Sequence, residues 1–252
     1  MVIKMSSMHV HVIAQILLAQ QQPRCIPKLY LLDRDGVINH DIGDPGVLKP
    51  SDLALTPNAA KSIGKVKRNS CNNHVAVITN QSCVGKKLIT DAQLDDIHQN
   101  LKQLLLEDDA DSAWDSLHQC TSTDNSDVRR KPNPGMIFEA MSRFQVQASE
   151  CVMIGDSIRD LEAATNAGVP LKVLVRTGYG GSLVGEDDLG WLTRSSTCST
   201  DADADSAISV GAIAASEADD AQRSSHQIPE SVLPIYVAEN LSCAIDWILA
   251  RE

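Results

Sequence analysis

The chain has 252 residues, 43% of them hydrophobic, enough to bury one α/β core or one core with appendages. A formal net charge of -11 and a pI near 5.0 exclude nucleic acid as the main partner, because a phosphate backbone demands clustered Lys and Arg. Seven widely spaced cysteines with no CxxC pair read as reduced thiols of a cytoplasmic protein, not as a disulfide frame.

Residues 1–27 open with "MVIKMSSMHVHVIAQILLAQQQP", an apolar stretch broken by His11 and Gln15, with no small-residue cleavage site and no Arg before Arg24. That pattern supports neither a secretory signal, a transit peptide nor a bilayer span, so a flexible or helical extension outside the fold is expected. From Lys28 onward strand-like and helix-like periods alternate. "KLYLL" reads as a short apolar strand, Pro57 to Asn69 as a helix with Pro at its start, and His74 to Thr79 as a second strand. Thr90 to Leu106 has helical spacing, with Thr90 as N-cap and Leu94, Ile97, Leu101 and Leu104 on one face. Gly135 to Phe144 reads as a helix, "CVMIG" as a strand, Ile158 to Asn166 as a helix closed by Gly168, and "LKVLV" as a strand.

Residues 193–230 depart from this pattern: they are rich in Ser, Ala and Asp, poor in large apolar residues and acidic. Such a segment cannot bury enough surface to fix its own backbone and is expected to be a disordered surface insertion. Its "DADAD" run reads as a solvated acidic stretch, since it lacks EF-hand spacing for Ca²⁺. "PIYVAENLSCAIDWIL" then restores a strand and an amphipathic helix, so residues 28–252 are expected to form one domain. Alternating strands and helices predict an α/β, Rossmann-like fold with a central parallel sheet flanked by helices. The segment between Asp35 and Thr79 has room for only a loop and one helix, so no large cap domain is expected.

Ligands of an open parallel sheet gather at the carboxyl ends of its strands. Asp33 and Asp35 follow "LYLL" at such an end, where two like charges cost stability unless a cation or a reaction uses them. Thr79-Asn80-Gln81-Ser82 follows a second strand, Gly155-Asp156 a third, and Arg130-Lys131-Pro132 precedes a helix. Asp33 and Asp156 are oxygen donors suited to Mg²⁺, which prefers carboxylates plus substrate phosphate. Asp33 then reads as the nucleophile that accepts phosphorus, and Asp35 as the acid that protonates the leaving alcohol and the base that activates water. Lys131 and the Thr79 hydroxyl read as stabilisers of the charge that builds on the equatorial oxygens, although Thr79 also fits a simple turn cap.

"LLDRDGVIN", "VITNQS", "RRKPNPGM" and "MIGDSIRDLEAATNAGV", in this order, resemble the four motifs of the haloacid dehalogenase (HAD) phosphatase superfamily. More narrowly they resemble the histidinol-phosphate and heptose 1,7-bisphosphate phosphatases, over Lys28 to Gly181 and again at the C-terminal strand and helix. The resemblance implies an aspartyl-phosphate on Asp33, with Mg²⁺ held by Asp33, the backbone carbonyl of Asp35, and Asp156. Arg130 is implied in substrate recognition, as are the loop Asp41 to Asp44 and the segment Asn80, Gln81 and Ser82. Asp160 reads either as a helix-surface residue or as a support for the loop.

Heptose-type relatives carry a zinc loop with Cys-x-His and Cys-x-Cys pairs, where this chain has Ser116 and His118, then Asp127 and Arg129. Only His118 matches; with Cys120 it makes two ligands where tetrahedral zinc needs four, so no zinc is expected. Cys83 and Lys86-Lys87 stand where relatives have glycines and a basic residue, and Ser157 where they tend to have Lys. The expected function is an Mg²⁺-dependent phosphatase acting on a small sugar phosphate, as a monomer without membrane or nucleic-acid partners. Histidinol phosphate as substrate, and a non-catalytic binding module of the same fold, stand as alternatives.

Overall fold

β1 (Leu29–Leu32) is buried at every position, and its side chains divide between two cores. Tyr30 and Leu32 enter one apolar cluster while Leu29 and Leu31 enter the other. The same alternation runs through β2 (His74–Asn80) and β4 (Cys151–Gly155): Val75, Val77, Val152 and Ile154 on one side, Ala76, Ile78, Cys151 and Met153 on the other. Successive side chains of a strand point to opposite faces, so a strand apolar at every position needs cover on both. The computed structural model describes residues 27–184, 189–192, 228–233 and 235–251. The expected N-terminal extension, up to residue 26, and the expected acidic insertion, from 193 to 227, lie outside the described residues.

The cover comes from helices. On one face lie α1 (Ala59–Asn69), α3 (Asp91–Asp108) and α7 (Leu241–Leu249), which contribute Ile63, Val66, Leu101, Leu105, Ile245 and Ile248. The other face is covered by α4 (Gly135–Phe144) and α5 (Ile158–Asn166) through Met136, Ile137, Ala140, Ala163 and Ala164. Short α2 (Ser82–Gly85) and α6 (Gly180–Leu183) follow β2 and β5 (Leu171–Val175).

The sheet has seven strands in the order β3-β2-β1-β4-β5-β7-β6, with β3 at Ser116–Cys120, β6 at Gly190–Leu192 and β7 at Ile235–Ala238. Six run parallel, and only β6 pairs antiparallel, at the edge beside β7. This is the α/β, Rossmann-like architecture that the alternation of periods predicts. From β1 the chain crosses to β2 on one side, while β4 lies on the other, and this reversal opens a crevice at the carboxyl ends of β1 and β4. Among the described residues no cap domain lies over that edge: a 3-10 turn at Pro50–Asp52 and α1 fill the connection from β1 to β2.

Two helix expectations need correction. The first helix begins at Ala59, not at Pro57, because Asn58 takes a left-handed backbone (φ 60°) that no helix turn accepts. Within α3 the buried stripe is Leu94, Ile97, His98, Leu101 and Leu105, not Leu104. Eleven residues complete about three turns, which returns Leu105 to the bearing of Leu94. Thr90 caps α3 as expected, in a reciprocal box with Gln93.

Candidate active site

The register of the sheet sets the site. Leu32 lies beside Ile154 on one side and Val77 on the other, so Asp33 is level with Gly155 and Ile78, one residue short of Asp156 and Thr79 on the neighbouring strands. Lys131 arrives from the segment before α4, where the Asn80 side chain clamps it: Asn80 Oδ1 accepts from the Lys131 N–H and its Nδ2 donates to the Lys131 carbonyl, both at 3.0 Å. Each polar group of the Asn80 amide therefore holds backbone. That is where the structure places a residue the resemblance assigns to substrate.

The Lys131 ammonium, 3% exposed, lies 2.8 Å from Asp33 Oδ1 and 2.6 Å from Asp160 Oδ1, and donates to the Ile78 carbonyl at 2.9 Å. Burial alone would favour its neutral form, but the carboxylates of Asp160 and Asp33 outweigh burial and hold it above the ordinary lysine range. Asp33 Oδ1 also accepts from the Arg34 N–H at 2.7 Å, which leaves Oδ2 without a partner among the described residues. Asp160 is fully buried, not on a helix surface, and its Oδ2 caps α5 by accepting from Ser157 N at 3.1 Å and Ser157 Oγ at 2.7 Å.

Asp33, Asp156 and Asp160 offer carboxylate oxygens that all lie within 4.8 Å of one another. Burial first, then the neighbouring carboxylates, push Asp33 up to about 7 and Asp156 up to about 9. Three buried acids share one lysine, so the cluster lacks positive charge, and a hard divalent cation is what such an oxygen set accommodates. Mg²⁺ fits these residues. The backbone around Asp156 fixes its carboxylate: Oδ2 accepts from the Tyr179 N–H at 2.9 Å and sits in a slot between Gly36 and Gly178. A Cβ on Gly36 would meet that oxygen at 2.1 Å and one on Gly178 at 2.0 Å, and both glycines have positive φ.

The Asp35 carboxylate turns away from this cluster, so whatever Asp35 lends a metal comes from its main chain. Its Oδ1 accepts from Arg34 Nη2 at 2.8 Å, Arg34 Nε at 3.2 Å and Asn39 Nδ2 at 2.9 Å, and its Oδ2 from Gln81 Nε2 at 2.8 Å. Burial pushes this carboxyl up, but the Arg34 charge and the four hydrogen bonds outweigh it and hold it below the usual range. The same Gln81 amide donates to Thr79 Oγ1 at 2.9 Å, so the Thr79 hydroxyl keeps its own hydrogen to donate. Gln81 thus links acid and hydroxyl, a role its place in "TNQS" does not disclose.

The remaining expected substrate residues stand around the rim. Asp41 Oδ1 accepts from the Gly43 N–H at 3.0 Å, Asp44 pairs with Lys86 at 2.9 Å, and Ser82 opens the single turn of α2. The Arg130 guanidinium folds into its own loop, on the Ser122 carbonyl at 2.7 Å and Asn125 Oδ1 at 3.2 Å. Tyr179, which the motifs do not flag, is 56% exposed on the same rim, where the Asp41 carboxylate raises its phenol. Cys83 is buried and its thiol is pushed up by burial, so it is no thiolate nucleophile. In the segment that corresponds to the zinc loop of the heptose-type relatives, His118 Nδ1 meets Glu139 at 3.2 Å and its Nε2 meets Ser116 at 3.1 Å, while Arg129 Nε pairs with Glu139 at 2.9 Å.

A buried carboxylate with one oxygen unpartnered, a buried lysine, a hydroxyl donor and an oxygen-donor cluster at a sheet switch point have the make-up of a phosphoryl-transfer site. Comparison with known proteins agrees. Residues 128–187 match the HAD-hydrolase-like family model. The D-glycero-β-D-manno-heptose-1,7-bisphosphate 7-phosphatase of Neisseria meningitidis serogroup A is 38% identical over 155 residues, covering 61% of this chain and 79% of the relative. The enzyme of the same name from Bordetella bronchiseptica is 33% identical over 168 residues, 66% of this chain and 90% of the relative. A crystal structure of D,D-heptose 1,7-bisphosphate phosphatase from B. bronchiseptica, complexed with magnesium and phosphate, superposes with a TM-score of 0.65 at 26% identity, covering 89% of this chain and 99% of that one. The chain belongs to the HAD superfamily, in the phosphatase family of these relatives, and is a phosphoric monoester hydrolase. No helix among the described residues is long and apolar enough to cross a membrane.

Proposed function

We propose that this enzyme hydrolyses the phosphomonoester of a small sugar, of the heptose-bisphosphate kind, through an aspartyl-phosphate on Asp33 and with Mg²⁺. The observation that carries the reading is Lys131 bridging Asp33 and Asp160 beside Asp156, at the crevice between β1 and β4. Asp33, Asp156 and the main chain of Asp35 are the residues that would hold the metal, with Asp160 behind them on Lys131. When bound, Mg²⁺ supplies a Lewis acid that offsets the carboxylate charge and polarises the phosphoryl group.

The chain's own residues do the rest. With Oδ1 of Asp33 engaged by Lys131 and the Arg34 N–H, Oδ2 is the oxygen that bonds to phosphorus as the ester P–O bond breaks. The Thr79 hydroxyl donates to the equatorial oxygens as charge builds there, and the Lys131 ammonium, its three N–H groups held by Asp33, Asp160 and the Ile78 carbonyl, offsets that charge electrostatically. An anionic phosphate beside Asp35 raises that carboxyl's affinity for a proton, which it delivers to the departing sugar oxygen. The ionised Asp35 then takes a proton from water as the water attacks the aspartyl-phosphate, and inorganic phosphate leaves with Asp33 restored.

The edge above the crevice has no cap among the described residues, so selectivity falls to the rim: Asp41, Asp44, Ser82, Arg130 and Tyr179. What supports a loop without zinc is Glu139, which occupies Arg129 in an ion pair and His118 in a hydrogen bond, burial holding that ring below its ordinary pKa. On this reading the enzyme works as a monomer on a small phosphorylated metabolite in the cytoplasm. The test is phosphate release from a panel that includes heptose 1,7-bisphosphate and histidinol phosphate, with and without EDTA. We expect kcat/KM to be highest on the sugar bisphosphate and activity to vanish with EDTA and return with Mg²⁺. Preference for histidinol phosphate would overturn the substrate assignment, and full activity in EDTA the metal assignment.

A further inference from the structure

Arg34 is among the largest side chains of the chain with no exposed surface at all. Its guanidinium has two duties. Nε and Nη2 fork onto Asp35 Oδ1, and Nη1 lies 3.0 Å from Nε2 of His98, a residue 64 positions away on α3. Arginine only donates, so Nε2 of His98 accepts and the ring proton sits on Nδ1. That Nδ1 is buried and has no hydrogen-bond partner among the described residues.

Packing therefore does not account for His98. It lies on the apolar stripe of α3 between Leu94, Ile97 and Leu101, where a leucine would fill the space without an orphaned donor. What the imidazole alone provides there is an uncharged acceptor for a buried guanidinium. Burial and the Arg34 charge push the ring down to about 3, which keeps it neutral and accepting. At Asp35, three donors converge on Oδ1 while Oδ2 has only Gln81, so the carboxylate is locked and Oδ2 is the oxygen left with capacity.

We propose that His98 and Arg34 are positioning residues for proton transfer: His98 Nε2 fixes the Arg34 fork, and the fork presents Asp35 Oδ2 to the leaving oxygen. The inference rests on the reading of Asp35 as the acid/base. A positioning role of this kind leaves a signature that a merely structural one does not. A sugar alkoxide needs a proton as it departs, whereas 4-nitrophenolate leaves without one, so damage to the acid falls on the sugar ester. kcat/KM reports the steps up to transfer onto Asp33 and isolates this first half of the reaction.

The experiment compares wild type, His98→Leu, His98→Gln and Asp35→Asn on heptose 1,7-bisphosphate and on 4-nitrophenyl phosphate. We expect His98→Leu to lose at least about tenfold more kcat/KM on the sugar ester than on the aryl ester, part of the roughly 10²–10⁴ that general acid catalysis supplies. His98→Gln, whose amide oxygen restores an acceptor near Nε2, should recover most of the loss. Equal losses of His98→Leu on both substrates would overturn the proposal while leaving the Asp35 assignment intact, provided Asp35→Asn shows the bias. No bias in Asp35→Asn would overturn the acid/base reading and the positioning role with it. Independently of any variant's folding, long-range ¹H–¹⁵N correlation in the wild-type protein at neutral pH should show His98 as the neutral Nδ1–H tautomer with an accepting Nε2. A protonated ring or an Nε2–H tautomer would overturn the proposal.

Discussion

Replacing Lys131 by Met keeps the buried stem of the side chain and removes the ammonium that lies 2.8 Å from Asp33 and 2.6 Å from Asp160. Two carboxylates then stand in a buried site with no cation, and breaking a buried ion pair from one side costs about 3–5 kcal/mol. Protonation limits that cost. Asp33 already binds its proton up to about 7, far above the unfolded range, and loses its counter-charge in the variant. A carboxyl whose folded pKa is raised favours the fold at low pH and loses that contribution as pH rises through the folded value. The variant's deficit should therefore be about 3–5 kcal/mol at pH 8.5 and shrink by up to about 1.4 kcal/mol per unit toward pH 7, below which wild-type Asp33 is protonated as well. Urea unfolding in EDTA measures it: with a slope of about 2–3 kcal/mol per molar, the midpoint should fall by about 1–2 M at the higher pH. A loss below about 1 kcal/mol at pH 8.5, or a loss that grows on acidification, would refute the view that Lys131 balances the charge of the site.

Asp33→Asn should abolish turnover while unfolding in EDTA at pH 8 no earlier than wild type, because the amide removes a carboxylate that burial penalises; wild-type rates in that variant would refute the nucleophile. Gly178→Ala drives a Cβ into Asp156 Oδ2 at a residue with φ +61°, so calorimetric Mg²⁺ affinity should fall about tenfold or more; unchanged affinity would mean that Asp156 does not need its slot. His98, pushed from 6.5 down to about 3, stays neutral in the fold while the unfolded chain takes up a proton, so its contribution is full above about 6.5 and lost as pH falls. Between pH 6.5 and 5 wild type should lose about 2 kcal/mol of unfolding free energy relative to His98→Gln, and parallel pH profiles would show that the ring titrates normally.

Periodicity alone made the sheet legible. Strand segments such as "LYLL" and "VAVI", apolar at every position, demanded cover on both faces, and the two clusters that alternate along β1, β2 and β4 supply it. Three of the four chemical segments were legible because each follows a strand end, which is where the crevice lies, and the fourth, Arg130-Lys131-Pro132, because it leads into a helix. Pairwise geometry was not. Nothing in the linear order says that Asn80 uses both amide groups on the Lys131 backbone, or that Asp160 faces Lys131 instead of solvent. A strand was legible between the helix from Thr90 and Arg130, but its position was not, because "SLHQC" alternates only weakly and lies at a sheet edge, where one neighbour suffices. His98 left a signal, a histidine within the apolar stripe of an amphipathic helix, whose partner only the fold discloses.

The central claim is that phosphorus passes to Asp33. Mixing enzyme, Mg²⁺ and sugar phosphate, quenching in acid within a single turnover and reducing with borohydride converts an acyl phosphate to an alcohol at its own residue. Mass spectrometry of the peptide containing residues 29–41 should then find homoserine at position 33. An unmodified Asp33 under conditions that release phosphate, or reduction at another carboxylate, would contradict the account.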